Sequence, residues 1–273
     1  MNVGKPALLT IDGFVRHWQA CDDARLPGER LVWRIGTAAV GLVKPDLARV
    51  LTNEPGFSLL GDAIVLDPGQ VAGLAGVVRR LAGDGWFRWR GEAFDVRADT
   101  DSVTGPVLAT LDRGALPSFG VVARGVHLNG LVRRPDGMHL WVATRAANRL
   151  LDPDKLDHIV AGGMAAGDTV AGTLTKEAAE EANMPAYLIG AATPVGLISY
   201  AMERPEGLRR DELHCFDLEL PDEYVPQPND GEITGFELWP IRRVYETVRD
   251  TDRFKFNVNL VLIDLFARLG LSV

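Results

Sequence analysis

The pattern of apolar and polar positions in the first half of the chain predicts a mixture of helices and short strands. Residues 67–68, an aspartate followed by a proline, suit the start of a helix, which we expect to run to about Leu81 and to end at 83–85. Aromatic and β-branched residues with partial alternation then predict strands around Gly91, in the segments WFRWRGEAFDVRAD and PVLATLDR.

The pattern changes at the turn-rich stretch 114–120, which we take as a domain boundary. Beyond it, two apolar-rich runs, GVHLNGLVRR and MHLWVATRA, are separated by Pro-Asp-Gly and predict a hairpin. We therefore expect a smaller α+β domain over residues 1–118 and a helix-and-sheet domain over residues 119–273. The remaining elements expected in the second domain are a helix over about 169–183, strands near 192–203 and 212–220 and at FELWP, and two closing helices in VYETVRD and NVNLVLIDLFARLG.

Composition narrows the class of partner. The 273 residues carry a formal charge of -8, which argues against a broad electrostatic grip on nucleic acid or on an anionic membrane and favours a small ligand. Cys21 and Cys215 are too few for a disulfide framework or a zinc site, which fits a reducing cytoplasm. No signal peptide or membrane-spanning run is evident, so we expect a soluble cytoplasmic protein. The sequence leaves the oligomeric state open.

Chemistry is concentrated in the segment AGGMAAGD, which leads directly into TVAGTLTKEAAEEANM. Glu177, Glu180 and Glu181 share one helix face, because positions i, i+3 and i+4 project in the same direction. Hard oxygen ligands of this kind suit magnesium or manganese. A solvated glutamate surface is the alternative for the three residues alone. The glycine loop ahead of the helix favours a site, because glycines let backbone groups approach a metal and a phosphate closely.

This segment resembles the Nudix box, whose pattern is Gly, five residues, Glu, seven residues, then Arg-Glu-hydrophobic-any-Glu-Glu-any-Gly. Gly162 and the three glutamates are in register with that pattern. Asp168 stands in place of the first glutamate, Lys176 in place of the arginine and Asn183 in place of the closing glycine. Lysine keeps the charge but lacks the arginine fork, and asparagine tolerates the left-handed conformation that ends a helix.

The resemblance extends to LDHIVAGG, SYAMERPEGLRRDELHCFDLELP and PNDGEITGFELWP, which look like the Nudix domain related to fungal thiamin pyrophosphokinases. It implies an α/β/α sandwich with a mixed sheet behind the N-terminal domain. It also implies that Glu177 and Glu181 are the main ligands of Mg²⁺ or Mn²⁺, that Glu180 assists, that the Gly162 carbonyl adds an oxygen, and that Lys176 orients a glutamate. The implied activity is hydrolysis of a diphosphate bond in a small organic diphosphate, such as an oxidised thiamin diphosphate.

Further residues are candidates with structural alternatives. Glu232, beside Asp230, could supply a loop carboxylate to the metal, or lie in a solvated turn. Arg145, at a predicted strand end, could meet a substrate phosphate, and so could Arg209 in the charged loop 203–211. The remaining candidates for substrate binding are His127 and Asn129, which alternate onto one face of a strand and for which a structural role is the alternative.

Two other functions stay open at this point. The enzyme could hydrolyse a nucleoside diphosphate derivative such as ADP-ribose instead of a thiamin compound. A non-catalytic module that keeps the fold to bind a ligand is the third possibility, and the retention of all three helix glutamates argues against it.

Overall fold

The N-terminal part of the chain is built around a small sheet. The structure, a computed structural model, describes residues 10–100 and 103–273. Four strands pair in the order β2-β1-β4-β3, with β1 antiparallel to β2 and parallel to β4. Their bounds are β1 (Leu31–Ile35), β2 (Ala38–Val43), β3 (Phe57–Leu60) and β4 (Ala63–Leu66).

Three helices and a two-stranded ribbon also lie in this stretch of the sequence. Helix α1 (Asp12–Cys21) precedes the sheet, α2 (Pro45–Leu51) follows β2, and α3 (Leu74–Gly83) follows β4. The predicted helix start at 67–68 is confirmed, because the Asp67 side chain caps the turn that leads into α3, although that turn, Pro68–Gly73, is a 3-10 helix. Two strands are found in the predicted segments, β5 (Ala93–Val96) and β6 (Ala109–Asp112), and they pair as a separate antiparallel ribbon.

The second part contains a seven-stranded mixed sheet. Five strands follow the order β11-β12-β7-β8-β13, while β10 pairs with β7 and β9 pairs with β8. Strands β12 and β7 run parallel and the other pairs are antiparallel. The predicted hairpin and the later strands are confirmed. The bounds are β7 (Val122–Arg134), β8 (Gly137–Arg145), β9 (Leu156–Asp157), β10 (Val160–Gly163), β11 (Thr193–Arg204), β12 (Gly207–Glu219) and β13 (Ile233–Pro240).

Helices cover both faces of this sheet. On one face, α5 (Val170–Ala182) and the short α6 (Ala186–Ile189) pack through residues such as Leu174 and Ala178. On the other face, α7 (Ile241–Asp250) and α8 (Phe256–Arg268) bury a larger apolar cluster. The expected α/β/α sandwich with a mixed sheet is therefore confirmed.

The predicted division into residues 1–118 and 119–273 needs one correction. Helix α1 packs on α7 and α8, where Phe14 and Trp18 join the core of the second part. Burial of its apolar face against these distant helices outweighs its position in the sequence. The predicted boundary itself falls inside a four-residue helix, α4 (Leu116–Phe119), whose apolar residues belong to the N-terminal core.

Candidate functional site

The glycine loop and the glutamate helix form one continuous unit. Strand β10 ends at Gly163, and α5 begins after Thr169, whose hydroxyl accepts a hydrogen bond from the Gly172 amide at 3.0 Å. This is the N-cap arrangement that satisfies a free amide of the first turn. Asn183 ends the helix with a φ of 48°, so it adopts the left-handed conformation predicted for it. The loop and the helix are thus fixed at both ends.

Glu177 packs directly on Gly162. A Cβ atom at position 162 would overlap the Cγ and Cδ atoms of Glu177, so the chain can hold the carboxylate there only with glycine. The pKa of Glu177 is raised to about 7, mainly by burial and also by the nearby carboxylates of Glu180 and Glu232, against the opposite effect of Lys176. A carboxylate with so high a pKa in this position has too little positive charge around it.

Glu181 lies one turn further along and is almost fully buried. Its carboxylate accepts a hydrogen bond from the Ala161 amide at 2.8 Å, which ties the helix to the strand that carries the glycines. Burial raises the pKa of Glu181 well above its usual value, and the charge of Asp157 adds to this effect. Glu180 is exposed, and its carboxylate lies 4.0 Å from the ammonium group of Lys176. Lys176 therefore contacts the exposed glutamate of the three.

Glu232 approaches the same patch from the loop before β13. It forms an ion pair with Arg149, and it is close enough to Glu177 to raise the pKa of that residue. The structure therefore places Glu232 in the neighbourhood of Glu177, and its role as a metal ligand stays a prediction. Arg149 was not among the predicted residues, because nothing in its loop sequence indicates its partner.

The donor set of this patch fits a divalent cation. It offers carboxylate oxygens from a helix and a loop around a strand of glycines, and Mg²⁺ prefers oxygen donors of this kind. A cation would also stabilise the ionised forms of Glu177 and Glu181, whose pKa values are raised mainly by burial and in addition by neighbouring carboxylates. The chemistry of these donor groups, oxygen atoms with negative charge, is therefore suited to a divalent metal ion and its anionic ligand.

Arg145 is not the free strand-end arginine that the sequence suggests. Its guanidinium donates to the Asp157 carboxylate at 2.7 Å and to the backbone carbonyls of Leu151 and Asp152. Only 7% of the side chain is exposed. Each of the three guanidinium nitrogens donates to a group of the protein itself, so the structure gives Arg145 a structural role instead of the predicted contact with a phosphate.

Arg209 is also a structural residue. Its side chain pairs with Asp211 at 2.7 Å and lies over the ring of Phe256 at 5.0 Å from the ring centre. Asp211 in turn accepts a hydrogen bond from the buried hydroxyl of Tyr200. Arg209 lies near the hairpin tip, but side chains alternate between the two faces of a strand. At this position the alternation directs Arg209 toward the face of the sheet that α8 covers. The prediction that it steers substrate is wrong.

His127 and Asn129 do project from one face of β7, but both are buried. The Nδ1 atoms of His127 and His158 share a hydrogen bond at 2.9 Å. Burial lowers the pKa of His127 well below its usual value, and His158 lowers it further. Asn129 donates to Asp217 at 2.8 Å. The structural alternative therefore holds for this pair.

A buried polar cluster behind Glu181 was missed by the sequence analysis. Donor atoms of His127, Asp157 and His158 all lie within 4.8 Å of one another. Asp157, however, already pairs with Arg145 and lies 3.5 Å from the Lys255 ammonium. Burial would raise the pKa of Asp157, but these two cations outweigh burial and lower it to about 2. A carboxylate neutralised in this way is a poor ligand for an additional cation.

Two curated plant proteins are similar to the chain over about two thirds of its length. Nudix hydrolase 20, chloroplastic, of Arabidopsis thaliana is 39% identical over 181 residues, which are 66% of this chain and 48% of that protein. Nudix hydrolase 24, chloroplastic, of the same plant is 39% identical over 182 residues, which are 67% and 49% respectively. The chain thus spans about half the length of these relatives. No protein-family model matches it.

Among solved structures, that of DR0079 from Deinococcus radiodurans covers 63% of this chain and 98% of its own, with 21% identity and a TM-score of 0.48.

The names of both plant relatives state that they are chloroplastic, so the expected cytoplasmic location is wrong. The two buried, unbridged cysteines reflect redox conditions and do not identify a compartment. Within the described residues, no helix is long and apolar enough to cross a membrane. The chain is thus similar to two Nudix hydrolases over about two thirds of its own length.

Proposed function

We propose that the protein hydrolyses a diphosphate bond of a small organic molecule with the help of Mg²⁺ or Mn²⁺. One observation carries this proposal: the carboxylate of Glu177 packs on Gly162 beside the buried carboxylate of Glu181. A half-buried and a buried carboxylate side by side raise the free energy of the folded protein when both are ionised, unless a cation compensates them. An unfavourable arrangement of charges of this kind is typical of a functional site that binds an oppositely charged ligand.

In this proposal Glu177 and Glu181 are the main metal ligands, Glu180 assists, and Gly162 adds its carbonyl oxygen. Glu232 is the loop carboxylate of the same site. When bound, the metal supplies charge neutralisation for the diphosphate and a water of lowered pKa. Lys176 holds the Glu180 carboxylate at 4.0 Å and so orients a ligand without touching the metal.

The identity of the organic group is a separate part of the proposal. The resemblance to the thiamin-related Nudix domains favours oxidised thiamin diphosphate, whereas the names of the two plant relatives mention no substrate. A nucleoside diphosphate derivative such as ADP-ribose is the alternative. A non-catalytic binding module is the remaining candidate, although such a module has no need for a half-buried carboxylate beside a buried one.

The test is a hydrolysis assay with oxothiamin diphosphate, thiamin diphosphate, ADP-ribose and dGTP. We expect release of a monophosphate with Mg²⁺ or Mn²⁺ and none with EDTA. Glu177→Gln should abolish turnover, while the matched control Glu246→Gln, a glutamate of an exposed i,i+4 pair on α7, should keep it. Binding of a substrate without turnover by the wild-type protein would contradict the proposal and favour the binding module.

A further inference from the structure

The N-terminal ribbon forms one wall of the glycine loop. The Ala166 amide donates to the Ala93 carbonyl at 2.8 Å, and the Gly167 amide donates to the Asp95 carboxylate at 3.3 Å. These bonds join the loop that precedes α5 to strand β5. The first part of the chain is therefore a neighbour of the proposed metal site.

Phe94 of β5 and Arg113, the residue directly after β6, lie next to Gly163, the last residue of β10. A Cβ atom on Gly163 would be 3.0 Å from Cζ of Phe94 and 4.0 Å from Cζ of Arg113. The Arg113 guanidinium lies 5.7 Å from the centre of the Phe94 ring. Because this ring is buried, it limits the movement of the arginine side chain toward Phe94. Arg113 also lies close enough to Glu177 to lower the pKa of that carboxyl.

The backbone beneath Arg113 is held firmly. The Asp112 carboxylate accepts hydrogen bonds from the amides of Arg90, Gly91 and Gly114 at 2.7–2.9 Å. The Arg113 amide itself donates to the Glu92 carbonyl at 2.7 Å. A side chain that starts from such a fixed position loses little additional entropy when it binds a ligand.

Arg113 differs from the other cations near the site in how it is paired. Lys176 and Arg149 each contact a carboxylate assigned to the metal site, Glu180 and Glu232. Arg113 instead pairs with Glu92 at 2.9 Å, outside the site, and 47% and 52% of the two side chains are exposed. An exposed ion pair of this kind contributes little to the free energy of folding, so Arg113 can leave Glu92 and bind a phosphate with only a small loss of free energy.

We propose that Arg113, from the N-terminal part of the chain, binds a phosphate oxygen of the diphosphate substrate. The inference rests on the proposed function. A diphosphate that enters a patch of carboxylates needs positive charge on the side away from the metal, and a guanidinium provides it with a planar fork that matches phosphate oxygens. The ribbon β5–β6 therefore supplies a substrate-binding residue that the glycine loop and α5 lack.

The experiment compares Arg113→Gln and Arg113→Lys with the matched control Arg80→Gln. Arg80 is also an exposed arginine of the N-terminal part that pairs with a glutamate, Glu54. For the best substrate of the hydrolysis panel, Arg113→Gln should raise KM at least about tenfold and change kcat by less than about threefold. Arg113→Lys should give an intermediate KM, and Arg80→Gln should match wild type. An unchanged KM in Arg113→Gln would overturn the proposal.

A second measurement separates this proposal from the proposed hydrolysis. Calorimetric titration with inorganic pyrophosphate and Mg²⁺ reports binding even in a protein without turnover. We expect Arg113→Gln to weaken binding at least about tenfold, and Glu92→Gln, which releases the arginine, to leave binding equal or tighter. If the wild-type protein binds pyrophosphate but hydrolyses nothing, the proposed function fails and Arg113 is still tested. Equal affinities for wild type and Arg113→Gln, or no binding by wild type, would overturn the assignment of Arg113.

Discussion

Glu177 and Gly162 are in such close contact that any Cβ atom at position 162 would overlap the glutamate side chain. The strand therefore fixes the carboxylate, and the glycine is required by the space that Glu177 occupies. This relationship separates two contributions, the charge of Glu177 and its position, which can be changed independently.

The position is tested by Gly162→Ala. The added methyl group must displace Glu177, so we predict a loss of turnover of at least about 100-fold, together with a lower melting temperature. Gly235→Ala is the matched control, because Gly235 is a strand glycine of the same sheet and a Cβ there meets nothing within 4 Å. Wild-type turnover in Gly162→Ala would show that the placement of Glu177 is not needed.

The charge is tested by Glu177→Gln and Glu181→Gln. Each change removes a proposed ligand charge and keeps the shape, so we predict a loss of kcat of at least about 100-fold without unfolding. Lys176→Ala should have a smaller effect, because Lys176 contacts only the exposed Glu180. Circular dichroism checks the fold of each variant. A loss in Lys176→Ala equal to that in Glu181→Gln would show that this ranking is wrong.

The raised pKa of Glu177 predicts a pH dependence of stability in the metal-free protein. Burial raises that pKa from 4.5 to about 7, so the folded protein keeps a proton that the unfolded chain has already lost. The resulting stabilisation is complete below pH 4.5 and is lost as the pH rises through about 7. In EDTA, Glu177→Gln should therefore melt about 2–4 °C above wild type near pH 8 and at a similar temperature near pH 4.5.

Added Mg²⁺ provides the control for this prediction. A metal that binds the ionised wild-type site stabilises it by mass action, whereas Glu177→Gln should gain less. The advantage of the variant near pH 8 should therefore shrink or reverse. If the melting temperatures of wild type and variant differ by the same amount at both pH values in EDTA, Glu177 does not carry an uncompensated charge.

Local sequence was sufficient for the parts of the site that lie on one element. The spacing of Glu177, Glu180 and Glu181 fixes a shared helix face, and Asn183 is suited to end the helix, so both could be predicted. The glycine loop could be aligned with the Nudix box for the same reason, because the number of residues between Gly162 and Glu177 is fixed by the sequence. These features depend on contacts within about 20 residues of chain.

Contacts between distant segments could not be predicted in this way. Arg145 was misjudged because its partner Asp157 is brought in by a different strand, and Arg209 because the side of the sheet that it faces depends on α8. The same reason applies to Arg113, whose place beside the glycine loop follows from docking of the ribbon. Helix α1 was assigned to the wrong part, since the apolar surface that buries it comes from the end of the chain.

The buried cluster behind Glu181 leads to the last prediction, that Asp157→Asn destabilises the fold. Asp157 balances both Arg145 and Lys255, and its removal leaves two buried cations without their carboxylate. The loss of one partner of a buried pair costs about 3–5 kcal/mol. We therefore expect the free energy of unfolding in urea to fall by roughly that amount near pH 7. Asp154→Asn, an exposed aspartate with a φ of 59° that asparagine tolerates, is the matched control.

The pH dependence of this loss identifies its cause. Lys255 and Arg145 outweigh the effect of burial and lower the pKa of Asp157 from 3.8 to about 2, so its stabilisation is present above pH 3.8 and is lost as the pH falls through about 2. The difference between wild type and Asp157→Asn should therefore be constant from about pH 5 to 8, narrow in acid, and be the same in EDTA and in Mg²⁺. A difference that disappears in EDTA would instead assign Asp157 to a metal site with His127 and His158. Because Arg145 and Lys255 already neutralise the Asp157 carboxylate, we expect the stability difference to be independent of the metal.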